Sequence, residues 1–324
     1  MKLPRRKFLH LAAGAAALPA LSRVAWAQAY PSRPVRIVVT FPAGSTSDTL
    51  ARPVGQWLSE RLGQPFIIDN RPGAGGTIGT EAVVRSPADG YTLLLVSGAH
   101  TVNETLYDKL NFNFIRDIAP IAGISRENYV MVINPSFPAK TVPEFVAYAH
   151  ANPGKINMAS AGIGTSSHLA GELFKMMTSI NLVHIPYRGS PPALTDLIAG
   201  QVQVFFITTA ASIGYIRAGT LRALAVTATR SKTLPDIPTV GEFVPNYEAT
   251  AVWGLGAPRN TPTEIINKLN KEVNAAFADP KMNSRLANLG STPLPGSPAD
   301  FGKLIAEEIE KWGKVVKSVG IKAD

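Results

Sequence analysis

Short β-branched apolar runs alternate along this chain with stretches in which apolar residues recur at helical spacing. Arg36 to Phe41 reads as the first strand. Leu50, Val54, Leu58 and Leu62 then recur every four residues, a single buried stripe that stops at Gly63. Phe66 to Ile68 and Thr92 to Val96 read as further strands. The plan repeats with a strand at Tyr129 to Ile133, a helix at Val142 to His150 and a strand at Lys155 to Ala159. A helix marked by Leu169, Leu173 and Met176 follows, then a strand at Leu182 to Ile185 and a helix at Ala193 to Ala199. Strands at Val202 to Ile207 and Leu221 to Thr227 complete the middle. Such alternation is the pattern of parallel sheets with crossover helices, so the expected class is α/β.

The last seventy or so residues read as helical and are punctuated by caps. Thr261-Pro262-Thr263-Glu264 predicts an N-cap, a Pro at the first helical position and a capping-box Glu. Asp279-Pro280 and Ser297-Pro298 predict two more starts, and Gly290 and Gly320 the corresponding ends. Phe301, Leu304, Ile305, Trp312 and Val316 fall at helical spacing and read as core. There is no fixed repeat, low-complexity tract or long linker, so two halves would be joined by short crossovers.

Three strand-to-helix junctions share one chemistry. They are Phe41-Pro-Ala-Gly-Ser-Thr-Ser-Asp48, Ser160-Ala-Gly-Ile-Gly-Thr-Ser-Ser-His168 and Tyr187-Arg-Gly-Ser-Pro-Pro192, with Ser190 expected to cap and Pro191 to start the last helix. The first amides of a helix lack internal acceptors and carry the positive end of its dipole, so they favour anions. Glycines permit close approach to the backbone, and hydroxyls add donors. In a parallel sheet these loops lie at the carboxyl ends of strands, where open α/β folds bind ligands. Each loop taken alone is also an ordinary cap or turn; together they suggest that an anion is held without a buried arginine.

Composition narrows the classes. Hydrophobic residues make up 45% of the 324 and charged residues 17%, which argues against disorder and against a membrane bundle. Arg5 and Arg6, an apolar run from Leu11 to Leu21, and small residues around Ala27 and Ala29 predict an export signal over residues 1–29, of twin-arginine or Sec type. That segment holds five basic residues and no acidic ones, so the formal charge of +9 falls to +4 without it. No basic stripe remains, and nucleic acid is not an expected partner. The chain has no cysteine, which rules out disulfides and a lipoprotein anchor.

Catalytic constellations are missing. The sequence contains no Gly-x-Ser-x-Gly elbow, no His-Glu-x-x-His, no Cys/His cluster and no Walker loop. Gly73, Gly75 and Gly79 approximate a dinucleotide fingerprint, but Asp69 to Pro72 separates them from the strand, so they read as a tight loop near a cleft. No cofactor and no metal are expected. Ser167-His168 raises the alternative of an exported hydrolase, although adjacent helical residues do not face one another. Asp48 reads either as a helix-start residue or as polar closure of a cleft, and Asp196 as a solvated or capping group. Arg188 is either an exposed turn residue or the partner of a carboxylate; Tyr187 either covers the core or walls the cleft. A cytoplasmic regulator is disfavoured by the export signal and the lack of a helix-turn-helix segment.

The order of motifs resembles the tripartite tricarboxylate transporter receptor family, or Bug-type proteins. Phe41-Pro-Ala-Gly-Ser-x-x-Asp48-x-x-Ala-Arg52, Asp69-Asn-Arg-Pro-Gly-Ala-Gly-Gly76 and Asp89-Gly-Tyr-Thr92 begin it. Gly162-x-Gly-Thr-Ser-Ser-His-Leu-Ala-Gly-Glu-Leu-Phe174, Pro186-Tyr-Arg-Gly189, Ala193-x-x-Asp196 and Leu224-Ala-Val-Thr227 continue it. Ala43 stands where many relatives have Gly, and Thr208-Thr209 where they commonly carry Asp or Asn. The resemblance implies a type II periplasmic-binding-protein (Venus flytrap) fold with crossovers near Ser125 to Val132 and Ala249 to Gly256. Domain 1 would comprise residues 30–128 plus 253–324, with domain 2, residues 129–252, inserted between. It also implies a periplasmic, monomeric, non-enzymatic receptor that passes a small carboxylate to a cytoplasmic-membrane permease of a secondary transporter. The expected ligand-binding set is Phe41, Ala43, Gly44, Ser45, Ser47, Asp48, Ser97, Gly164, Thr165, Ser166, Ser167, His168, Tyr187, Arg188, Gly189, Asp196 and Thr208.

Overall fold

Val35–Val39 (β1) is a run of buried β-branched residues interrupted by half-buried Arg36, as suits a parallel strand covered on both faces. It leads into α1 (Thr46–Leu62), which Gly63 ends in the left-handed conformation. In this computed structural model residues 30–107 and 109–322 are described, so the export segment at 1–29 lies outside the described residues. The chain divides into Met1–Ser32 and Arg33–Asp324, and all the elements that follow belong to the second unit.

Next come β2 (Phe66–Asn70), a 3-10 turn (Ala74–Gly76), α2 (Thr77–Val84), β3 (Thr92–Val96), α3 (His100–Leu106) and α4 (Phe114–Asp117). The long strand β4 (Ile118–Ile133) precedes α5 (Val142–Ala151), β5 (Asn157–Ser160), α6 (Ser166–Thr178), β6 (Val183–Pro186) and α7 (Ser190–Ile198). Then follow β7 (Val204–Thr208), α8 (Thr209–Arg217), β8 (Arg222–Val226) and β9 (Thr250–Pro258). The chain closes with α9 (Thr263–Ala278), α10 (Pro280–Asn288), β10 (Thr292–Pro293) and α11 (Pro298–Val319).

The strands run in the order β2-β1-β3-β9-β4-β7-β5-β6, and β4 divides them into two groups. Ile118 to Asn128 of β4 pairs antiparallel with β9, which borders the parallel set β3, β1 and β2. Tyr129 to Ile133 pairs with β7 and β8, leading to parallel β5 and β6. Each group has its own core. Val38, Leu94, Val96, Phe114, Phe301 and Ile305 cluster in the first; Val130, Val132, Leu197, Phe205 and Ile207 cluster in the second. The expected α/β, two-domain binding-protein architecture is present.

Most predicted elements appear with ends shifted by a few residues. Several elements were not anticipated, among them α2, α4 and β10, and for three others the physical reason is clear. The first half of β4 contains Pro120, Gly123 and Arg126-Glu127-Asn128, which break the alternation; the ladder with β9 is irregular at Pro120/Ala122 and Gly123/Ser125. Helix α8 buries Thr209, Ser212 and Ile213, a face made largely of hydroxyls instead of aliphatic groups. Helix α3 likewise buries His100, Thr101 and Asn103.

Caps agree at Asp279, whose carboxylate accepts the Met282 amide at 2.8 Å, and at Ser297, which forms a reciprocal box with Asp300. Two cap expectations are corrected. Helix α9 starts after Pro262 with no side-chain cap, because the Thr261 hydroxyl donates instead to the Pro258 carbonyl (2.7 Å). At α7 the N-cap is Gly189, at φ 114°, and not Ser190. A Cβ at Gly189 would lie 2.9 Å from Pro42, so the close approach of two loops requires glycine there and leaves Ser190 in the first helical turn.

Candidate functional site

The first loop leaves β1 and enters α1 through Ser45, whose hydroxyl accepts the Asp48 amide at 3.3 Å. The Thr46 and Ser47 amides, in the first turn, have no intrahelical acceptor. Asp48 holds this loop in shape. Its carboxylate accepts both Arg52 Nε (2.9 Å) and Nη2 (2.8 Å), the Gly44 amide (2.9 Å) and Asn70 Nδ2 (3.1 Å). Asn70 Nδ2 also donates to the Phe41 carbonyl at 3.0 Å. Burial alone would raise the Asp48 pKa, but the hydrogen bonds from Arg52, Gly44 and Asn70 outweigh it and hold the carboxyl below its ordinary value.

The second loop leaves β5 and enters α6 through Thr165, which accepts the His168 amide at 3.4 Å. Ser167 Oγ accepts the Ala161 amide (3.0 Å) and lies 3.0 Å from Thr165 Oγ1. His168 Nδ1 accepts the Gly164 amide at 3.1 Å, and its Nε2 lies 3.5 Å from the Glu172 carboxylate. The His168 ring stacks on His184 at 3.7 Å, and His184 Nε2 is 2.6 Å from Ser160 Oγ. Burial, followed by the charge of His168, lowers the His184 pKa to about 3. The two rings therefore buttress the loop from behind. Among the described residues no hydrogen bond joins Ser167 to His168, so the side chains of the hydrolase alternative are committed elsewhere.

The third loop follows β6. Tyr187 donates its hydroxyl to Asp196 Oδ2 at 2.6 Å, and burial together with that carboxylate raises the phenol to about 12. The Gly189 amide donates to the Ala161 carbonyl (3.1 Å), which ties the third loop to the second.

The first two loops meet at a cavity of about 60 Å³ between the strand groups. Phe41, Ser45, Ser47, Ser97, Thr165, Ser166, Ser167 and Thr208, all expected, line it. So do Thr46, Gly98, Ala99, Tyr129, Ala161, Ser190, Ile207 and Trp253, which were not in the expected set. Thr46 and Ser190 lay within motifs already singled out; Tyr129 and Trp253 lie on the long strands β4 and β9, and nothing in their spacing marks them. Two contacts cross the cavity: Thr46 Oγ1 lies 2.6 Å from Thr208 Oγ1, and Trp253 Nε1 donates to Ser47 Oγ at 3.1 Å. Among the described residues the lining contains no carboxylate, amine or guanidinium; its polar groups are hydroxyls, backbone and the Trp253 indole N–H.

Ala43, Gly44, Asp48, Gly164, His168, Gly189 and Asp196 are not part of this lining. Gly44, Asp48, Gly164 and His168 shape the two loops through the bonds described, and Asp196 is bonded to Tyr187. Tyr187 and Arg188 face a second, outer groove of about 570 Å³, which also takes in the Gly73 to Gly76 segment. The glycine-rich loop is therefore beside the cleft, as expected, and α2 starts after it.

The description "Tripartite tricarboxylate transporter family receptor" belongs to the family profile that matches residues 50–321. Protein BugT of Bordetella pertussis is 36% identical over 300 residues, covering 91% of this chain and 92% of BugT. Among solved structures, R. palustris Rpa4515 with adipate is 36% identical, with a TM-score of 0.88 over 90% of this chain and 99% of that one. MatC of Rhodopseudomonas palustris with bound malate is 32% identical, with a TM-score of 0.84 over 89% and 100%. This chain belongs to the tripartite tricarboxylate transporter receptor family, among the Bug-type proteins.

Proposed function

We propose that this protein is a periplasmic solute receptor that binds a small organic carboxylate between its two lobes and delivers it to a cytoplasmic-membrane permease. One observation carries the reading: the N-termini of α1 and α6, one from each strand group, converge on a single cavity lined by hydroxyls and free of acidic side chains. Oriented amides and the positive ends of two helix dipoles suit a carboxylate, and the hydroxyls add donors. The related structures with adipate and malate support the same ligand class. The ligand-binding set on this reading is Phe41, Ser45, Thr46, Ser47, Ser97, Thr165, Ser166, Ser167, Ser190 and Thr208. The inserted lobe is residues 129–252, where β4 changes partners after Asn128. Bridging contacts such as Thr46 to Thr208 make closure of the lobes part of binding, with the ligand stabilising the closed form by touching both sides. The protein needs no cofactor and catalyses no reaction.

Isothermal titration of the exported chain with malate, adipate and related diacids tests the reading. Saturable one-to-one binding is expected; a folded protein that binds none of them would overturn it. Gly98→Ala provides a second test. A Cβ at Gly98 would overlap Ser166 Oγ across the cavity and lie 3.1 Å from Ser166 Cβ. Overpacking costs about 1–3 kcal/mol, so affinity is expected to fall about ten- to a hundredfold. Small-angle scattering should show weaker ligand-induced compaction.

A further inference from the structure

We propose that the ligand is an elongated dicarboxylate, with one carboxylate in the inner cavity, its chain along the outer groove and its far carboxylate on Arg188. The proposal rests on the receptor reading above and adds the length and the second charge of the ligand.

Phe41 and Ala161 line both the inner cavity and the outer groove, so the two spaces share a wall. Their sizes and surfaces differ. The inner space, about 60 Å³, suits the head of a ligand, whereas the groove has about 570 Å³. Phe41, Pro42, Tyr187 and the glycine backbone around Gly75 form the groove walls. The Tyr187 hydroxyl is engaged by Asp196, so the tyrosine offers the groove apolar ring surface. This wall suits a carbon chain better than a cluster of hydroxyl or carboxyl groups.

Thr40 Oγ1 lies buried beneath the groove wall and has no hydrogen-bond partner among the described residues. One polar group breaks that surface. Arg188 is the one charged residue among the described residues that line the groove, it is exposed, and it forms no ion pair among them. Among the described residues, no acidic one lines either space. A guanidinium can clasp a carboxylate through two parallel hydrogen bonds. A ligand that puts one carboxylate on the helix N-termini and leads outward along the groove therefore meets its second complementary charge at Arg188. Four-carbon malate leaves less chain than six-carbon adipate or eight-carbon suberate to reach it.

The test is a titration series on the exported chain and on Arg188→Ala, using malate, adipate, suberate and the monoacid hexanoate. Adipate or suberate is expected to bind at least tenfold more tightly than malate. Arg188→Ala is expected to shrink the preference for adipate over hexanoate by about tenfold, with Arg188→Lys recovering part of it. Unfolding midpoints of both variants control for misfolding. If malate binds most tightly, or if the adipate preference survives Arg188→Ala, the elongated-ligand inference is overturned while the receptor reading stands. If no acid binds the folded parent, both are overturned.

Discussion

Asp48→Ala is expected to destabilise the protein by about 3 kcal/mol and to weaken carboxylate binding by more than about tenfold. The carboxylate is nearly inaccessible and accepts four hydrogen bonds, two from Arg52 and one each from Gly44 and Asn70. Removing it leaves the Gly44 amide and the Asn70 side chain without that acceptor, whereas half-exposed Arg52 recovers water. That asymmetry places the cost at the low end of the range for breaking a buried pair. The binding loss follows from geometry, since Asp48 fixes the backbone that presents the Thr46 and Ser47 amides. Urea unfolding and ligand titration read the two effects separately. An Asp48→Ala protein with parental affinity would show that the loop keeps its shape without the clamp. Because the folded pKa is depressed, this contribution is present above the ordinary Asp value and is lost as pH falls through the lowered one.

Glu127 is expected to act in the opposite direction. It lies on β4, beside the point where the strand changes partners, and it is buried. Ser291 donates its hydroxyl to the Glu127 carboxylate, and the Ala210 amide also reaches it. Burial outweighs both bonds and raises the pKa from 4.5 to about 7. Between those values the folded protein holds a proton that the unfolded chain has released. Stability from this group is therefore greatest below the unfolded pKa and is lost as pH rises through about 7, by about 3 kcal/mol in all. Glu127→Gln should remove that slope. Urea unfolding from about pH 5 to about pH 8, compared between parent and variant, isolates it. Parallel profiles would refute the assignment.

The sequence was most informative where a single short-range pattern dictates structure. The four-residue recurrence of Leu50, Val54, Leu58 and Leu62 defines α1 because every turn places an apolar side chain on one face. Asp279 and Ser297 announce helix starts because a capping side chain needs only the three residues that follow it. The hydroxyl-rich loops were legible for the same reason, and eight of the expected residues do line the inner cavity. The sequence was least informative for β4 and α3, which contain half-buried Pro120 and buried Gly123, His100 and Asn103, residues that propensity does not assign to a strand core or a helix core.

Local pattern thus established the α/β alternation, the junctions with small residues and hydroxyls, and the order of motifs by which the family is recognised. Tertiary structure alone decided which of those residues share a space. Asp48 and His168 sit in the hydroxyl-rich loops yet turn away to hold them in shape, whereas Tyr129, Ile207 and Trp253 line the cavity from strands more than about 80 residues from the first loop. The physical reason is that side-chain direction across a cleft depends on how two separately packed cores are brought together by β4 and β9. That arrangement is a property of long-range strand pairing, which no window of neighbouring residues contains.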